Sequence, residues 1–224
     1  MHVTYVSNQC KSVFDNKHQA VLGISPFNSY FSEQRISYLY RWACSHFNSV
    51  KLYIPDEPTV FTLQAIGYDE QKANKKARRQ CNYLKNKVKR ALNNLEVSEI
   101  EIHESLICHS TIKDNEVYIN KYDQCMQRFK KDKSFRDGCL SSTKWVLSNQ
   151  LPENQEPTDD MLAIAVKYFM HELPMFLWST EILNSPSAVF CYHQCPRFLQ
   201  ELFNSIRSEE LIHNQQGFVI IEPK

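Results

Sequence analysis

Two short apolar runs, residues 19–25 and 51–54, stand on either side of a segment with helical spacing. This arrangement restricts the fold more than any other feature of the chain. In the first run, Gln19-Ala20-Val21-Leu22 is short and continuous, as a strand buried on both faces reads. Between the runs, Ile36, Leu39, Tyr40, Ala43 and Phe47 recur at helical steps, and Ser32 is placed to cap the helix. The second run, Lys51-Leu52-Tyr53-Ile54, closes at Pro55. Strand, helix, strand is the unit of a parallel sheet with a crossover helix.

The alternation continues. The spacing predicts a helix over 68–94, a strand over 99–103 (Glu99-Ile100-Glu101-Ile102-His103), and helices over 115–131, 134–149 and 158–176. A strand over 188–191, a helix over 196–207 and a last strand over 218–221 complete the pattern. No repeat or low-complexity linker divides the 224 residues, a length that suits one domain with a sizeable core. The expected fold class is α/β: a single Rossmann-like domain over 1–224, with a mostly parallel sheet flanked by helices. Residues 1–16 are expected to be a loosely ordered N-terminal segment. In such sheets the ligand sits beyond the carboxyl ends of the strands, and Ser25 falls at such an end.

A net charge of +1 names no partner. Residues 1–20 are polar and mixed, unlike a secretory leader, and no apolar run is long enough to span a membrane. The eight cysteines therefore read as reduced, mostly buried thiols in a cytoplasmic protein. Cys191-Tyr192-His193-Gln194-Cys195 raises a zinc site, but the spacing is not Cys-x2-Cys and no second ligand pair stands out. No metal and no cofactor are expected.

Local charge says more. Residues 71–94 hold nine cations and no acid: Lys72, Lys75, Lys76, Arg78, Arg79, Lys85, Lys87, Lys89 and Arg90. Ala73, Ala77, Leu84, Val88 and Ala91 form the one narrow face able to pack. A solvated face normally mixes signs, so this helix reads as a contact surface for a nucleic-acid backbone. Few aromatics other than Tyr83 interleave, which favours backbone contact over base stacking.

Three segments carry candidate chemistry. Gly23-Ile24-Ser25 presents a serine at a strand end, although a lone serine there is more often a loop cap. The Gly-x-Ser-x-Gly elbow is not met, because Phe27 stands at its second glycine. Tyr168 and Glu172 lie one turn apart on one face of an otherwise apolar helix, where the carboxylate needs a partner: a structural hydrogen bond or a bound amine. Tyr192-His193 follow a short apolar strand. His171 is given no role.

Taken together, Gly23-Ile24-Ser25-Pro26-Phe27-Asn28-Ser29-Tyr30-Phe31, then Tyr168-x-x-x-Glu172-x-Pro174, then Tyr192-His193, resemble the cyclodipeptide synthases over almost the whole chain. The Asn28, Tyr192 and His193 combination is similar to the subfamily defined by asparagine, tyrosine and histidine. The family carries a small residue in several members where Phe27 stands. The resemblance implies a fold similar to class I aminoacyl-tRNA synthetase catalytic domains. It implies a reaction that joins two amino acids, taken from two aminoacyl-tRNAs, into a 2,5-diketopiperazine. Neither ATP-binding signature of those synthetases is present, and an aminoacyl ester is already activated.

In the ping-pong scheme that the resemblance implies, Ser25 is the nucleophile and forms an aminoacyl-enzyme. Tyr168 and Glu172 hold the substrate ammonium, Tyr192 places Ser25, and Asn28 and His193 act in the second step. In that step the amine of the second aminoacyl-tRNA is expected to attack the seryl ester, giving a dipeptidyl-enzyme that then cyclises. Glu172 and His193 are both base candidates. Gly23, Val21, Met175 and Phe190 are expected to line an apolar first aminoacyl pocket. Lys75, Lys76, Arg78, Arg79, Lys85, Lys87, Lys89 and Arg90 are the expected tRNA contacts, and the family implies a monomer. Two rival readings remain at this point: a serine hydrolase using Ser25 and His193, and a non-catalytic tRNA-binding module.

Overall fold

The structure is a computed structural model that describes residues 1–205 and 211–223. In chain order the elements are β1 (His2–Tyr5), α1 (Asn8–Asp15), β2 (Gln19–Gly23), α2 (Glu33–Cys44), β3 (Ser49–Ile54), α3 (Thr59–Ala65), α4 (Glu70–Asn93) and α5 (Glu99–Ser105). They continue with β4 (Leu106–Cys108), α6 (His109–Ile112), α7 (Glu116–Lys131), α8 (Lys133–Ser148), α9 (Asp159–Ile182), β5 (Ala188–Tyr192), α10 (Arg197–Asn204) and β6 (Gln216–Glu222). Residues 206 and 207, expected at the end of the helix that is α10, lie outside the described residues.

The strands form one six-stranded sheet in the order β1-β6-β5-β2-β3-β4, parallel except for the antiparallel edge pair β1–β6. The Rossmann-like expectation is met. The order reverses between β2 and β5: β3 and β4 continue to one side, β5 and β6 to the other. Such a switch point opens a crevice at the carboxyl ends of the two central strands.

All five residues of β2 are buried, as a central parallel strand requires. Side-chain alternation then builds two cores. Val21, Tyr53, Phe190 and Phe218 face α7, α8 and α9. Ala20, Leu22, Leu52, Val189 and Val219 face α2 and the apolar stripe of α4.

Two expectations are corrected. Residues 1–16 are not a loose segment. His2–Tyr5 pairs with β6, and Asn8–Asp15 is a helix capped by the Ser7 side chain, with Cys10, Val13 and Phe14 buried. Residues 99–103 are helical, not a strand. Ser98 and Glu101 form a reciprocal capping box that starts α5, so Ile102 is buried while Ile100 stays exposed. The third parallel strand, β4, follows at Leu106.

α9 runs through Pro174, breaks at Trp178 (φ −144°, ψ 26°) and resumes to Ile182, six residues beyond the expected end. Gln216 of β6 receives the backbone freed there. Its Oε1 accepts from Thr180 N at 3.0 Å, Thr180 Oγ1 at 3.0 Å and Ser179 Oγ at 2.9 Å, all buried. Among the described residues, no helix is long and apolar enough to cross a membrane.

Candidate active site

The three motif segments converge at the switch point. β2 ends at Gly23 and delivers Ser25 and Asn28 on the loop beyond it. β5 ends beside it and delivers Tyr192 and His193. α9 crosses the same end of the sheet with Tyr168 and Glu172.

Ser25 Oγ and Tyr192 Oη are 2.7 Å apart. Asn28 Nδ2 reaches Tyr192 Oη at 3.4 Å and His193 Nε2 at 3.0 Å, while Asn28 Oδ1 accepts from Tyr30 N at 3.0 Å. Because the amide oxygen is taken by a backbone donor, Nδ2 must face the ring, and His193 Nε2 accepts. The imidazole stacks on Tyr30 at 4.0 Å and meets Phe31 edge-on at 5.6 Å. Burial, helped by the Arg35 charge, lowers the His193 pKa to about 4. His193 is therefore a neutral acceptor that orients Asn28. The Ser–His pair that a hydrolase needs is not formed.

Glu172 is buried on the cavity side of α9. Burial raises its pKa to about 8, with hydrogen bonding to Tyr168 opposing the rise. The Tyr168 hydroxyl also interacts with Ser25, and its pKa is pushed up by burial and by Glu172. Burial likewise raises Tyr192, to about 12. Two neutral phenols thus flank the serine, with one protonatable carboxyl behind them.

Gly23 has a packing reason. A Cβ there would lie 2.8 Å from the Phe190 ring and 3.0 Å from the Tyr192 ring. The close approach lets both rings cross the end of β2 and brings Tyr192 to Ser25.

The cavity in front of Ser25 has a volume of about 410 Å³. The α9 residues lining it, Ala165, Tyr168, Phe169, Glu172 and Phe176, form one helical stripe. Gly23 and Phe190 line the cavity as expected. Val21 and Met175 do not, which corrects their assignment: both are fully buried in the core beneath it. Val21 lies two residues deeper along the strand that ends at Gly23, and Met175 falls off the Glu172–Phe176 stripe. Phe218 supplies part of the wall, in register with Phe190 across β5 and β6. At the mouth, Phe27 sits in the left-handed backbone region (φ 58°), with Trp145 and Val146 opposite. No local pattern marked Phe218, Trp145 or Val146, because their proximity to the serine is tertiary.

Cys191 and Cys195 belong to cores on opposite faces of the sheet. Seven of the eight cysteines are buried and Cys44 is exposed. His171 packs between Phe61 and Tyr122, away from the serine.

The basic segment is a single long helix, α4, capped by the Asp69 side chain. Its cations differ in their surroundings. Lys85 pairs with buried Asp56 at 2.7 Å, Arg90 with Glu33 at 2.9 Å and exposed Lys72 with Asp69 at 2.9 Å. Lys87 donates to the Phe31 carbonyl at 3.0 Å, and Lys76 caps the Tyr68 ring. Lys75, Arg78 and Arg79 line an open groove with Asn74 and Asn82.

The family model described as cyclodipeptide synthase matches residues 1–223. The chain belongs to the cyclodipeptide synthase family. A cyclo(L-leucyl-L-leucyl) synthase of Staphylococcus haemolyticus is 28% identical, over 99% of this chain and 94% of its own. The crystal structure of a cyclodipeptide synthase from Bacillus thermoamylovorans superposes with a TM-score of 0.89 at 30% identity, covering 100% of this chain and 96% of that one. A Mycobacterium tuberculosis cyclodipeptide synthetase, described as related to type I tRNA synthetases, gives 0.86 at 27% identity, covering 99% and 93%. A more distant synthase from Candidatus Glomeribacter gigasporarum, solved bound to Phe-tRNAPhe, shares the fold (TM-score 0.59, 14% identity, covering 96% and 91%). As a cyclodipeptide synthase the chain is an enzyme, and the synthase motifs are the ones that meet at the switch point.

Proposed function

We propose that this synthase takes two aminoacyl-tRNAs and returns a 2,5-diketopiperazine whose first residue is aliphatic or aromatic. The observation that carries the reading is the half-buried Ser25–Tyr192–Asn28–His193 network, set beside the Tyr168–Glu172 pair in one cavity. The free cations of α4 support a polyanionic carrier, and the Phe176, Phe190 and Phe218 rings support an apolar side chain.

In the first step Ser25 Oγ bonds to the ester carbonyl carbon. The bond from that carbon to the ribose oxygen breaks, and the serine proton ends on the ribose oxygen. Glu172 and Tyr168 hold the α-ammonium and so aim the carbonyl at Ser25.

The attacker expected for the second step does not balance. Attack by the second substrate's amine on the seryl ester would break the bond to Ser25 and leave the dipeptide on tRNA. A dipeptidyl-enzyme requires the reverse. The amine of the Ser25-bound residue attacks the second aminoacyl ester; a C–N bond forms, the second tRNA leaves, and the amine proton passes to its ribose oxygen. Ring closure then uses the new terminal amine on the seryl ester and restores the serine hydroxyl. Each step needs a neutral amine. A carboxyl with a pKa near 8 is matched to an α-amino group at about 7.7–8.0 and can take that proton. His193, neutral and engaged with Asn28, holds the geometry instead. The chain contacts a second ester only after the first carrier has left, which is the ping-pong order.

The test is mass spectrometry of the medium from bacteria expressing the chain or Ser25→Ala. The expected result is new cyclic dipeptides containing aliphatic or aromatic residues, present only with the serine. Identical media would remove the synthase reading, and charged residues in the product would remove the apolar pocket.

A further inference from the structure

We infer that seven of the nine cations of α4 divide between two jobs. An outward stripe of Lys75, Arg78, Arg79 and Lys89 meets the tRNA phosphates, while Lys87 and Arg90 brace the loop that carries Ser25 and Asn28, Lys85 braces the turn after β3, and none of these three touches RNA. The inference rests on the tRNA reading above and assigns its surface residue by residue.

Helical periodicity separates the sets. Lys75, the adjacent pair Arg78 and Arg79, Asn82, Asn86 and Lys89 succeed one another about a helical turn apart and share one face. That face lies opposite the buried stripe of Ala73, Ala77, Leu84, Val88 and Ala91. All six are exposed, and the upper part forms a groove edged by Asn74 and Asn82. Two guanidinium forks and two ammonium groups, interspersed with neutral amides, form a strip that suits successive phosphates.

The bracing set occupies the flanks between these faces. On one flank, Lys85 Nζ lies 2.7 Å from Asp56 Oδ2. Asp56 lies two residues past the end of β3, and its carboxylate also accepts from Ser110 N at 2.9 Å and Ser110 Oγ at 2.7 Å. The carboxylate is buried, so Lys85 cannot leave it for a phosphate without stranding a charge. On the other flank, Lys87 Nζ donates to Phe31 O at 3.0 Å, and Arg90 Nε to Glu33 Oε2 at 2.9 Å.

Phe31 ends the loop that begins at Ser25. Its amide donates to Asn28 O at 3.3 Å, and its ring touches Tyr192 at 5.8 Å and His193 at 5.6 Å. Lys87 is therefore a positioning residue. It holds the carbonyl of the residue against which Asn28, Tyr192 and His193 are packed. α4 in this way ties the phosphate-contacting face to the geometry of the serine.

The experiment compares Arg78→Gln, Lys87→Met and Lys87→Arg in the full chain. Equilibrium binding of tRNA is measured across salt concentrations, and acylation of Ser25 is followed in single turnovers at saturating aminoacyl-tRNA. Arg78→Gln is expected to lower the log–log salt slope by about 0.9. Lys87→Met is expected to keep the wild-type slope and slow saturated acylation on the order of tenfold or more. Lys87→Arg, which keeps a donor, should restore most of that rate. The division is overturned if Lys87→Met loses slope as Arg78→Gln does, or if Arg78→Gln leaves the slope intact. If the wild type itself binds tRNA without salt dependence, the tRNA reading falls, and the division with it.

Discussion

Glu172 answers to two opposing demands. The fold prefers it protonated and the proposed reaction needs it ionised. Its folded pKa of about 8 stands above the usual 4.5, so between those values the native state keeps a proton that the unfolded chain has lost. Stability therefore falls as pH rises through that window, by up to roughly 5 kcal/mol from this one buried group. Glu172→Gln should flatten that dependence. In chemical denaturation it should gain on the wild type between pH 5 and pH 8, while Ser25 acylation drops by about a hundredfold or more. A variant as pH-sensitive as the wild type would show that the carboxyl is not the group responsible. His193 works in the opposite direction. Its pKa of about 4 keeps it neutral throughout, so the acylation profile should rise near pH 8 and show no limb near 6.5.

At the scale of elements, α9 carries the Tyr168–Glu172 pair proposed to hold the amine, and its direction depends on a break and its repair. The turn at Trp178 frees backbone that Gln216 captures from the neighbouring strand. Gln216→Leu would leave Thr180 N–H and the Ser179 hydroxyl unpaired in a dry interior, while the Thr180 hydroxyl keeps the Gln215 carbonyl. The expected loss is about 1–3 kcal/mol per stranded group, seen as a lower denaturation midpoint. An unchanged midpoint would mean that α9 has another support. α5 carries a related lesson. Its Glu-Ile-Glu-Ile pattern alternates like a strand, but the Ser98–Glu101 capping box satisfies the backbone of a helix, and only Ile102 has a core to enter.

Over the whole molecule, a near-neutral chain concentrates cations on one helix beside the open end of its sheet. Four of those on the outer stripe of α4 are exposed. Four phosphate contacts would make affinity for tRNA fall on the order of a hundredfold between 50 and 200 mM salt. The measurement is the apparent KM for aminoacyl-tRNA across that range, read beside the melting temperature. A steep rise in KM with a steady melting temperature is expected. A flat KM would mean that carrier binding does not run through this surface.

Much of this was legible in the residues. Period-two and period-3.6 patterns marked β2, α2, β3, α4, α7, α8, α9, β5 and β6, because each buries a face whose spacing its own sequence displays. The Ser25, Tyr168–Glu172 and Tyr192–His193 segments were legible as motifs for the same reason: each is local. Other features depended on partners distant in the chain. Residues 2–5 become a strand only because β6 offers them an edge. Gly23 is demanded by the Phe190 and Tyr192 rings, which lie more than 160 positions away. Val21 and Met175 could not be excluded from the cavity until depth along the strand and rotation about the helix were known. His193 looked like a base until Asn28, facing it across the loops, occupied its nitrogen and burial removed its charge. Local pattern decides which elements form and which groups they carry. The packing of distant elements decides which groups meet, and so which of them can exchange a proton.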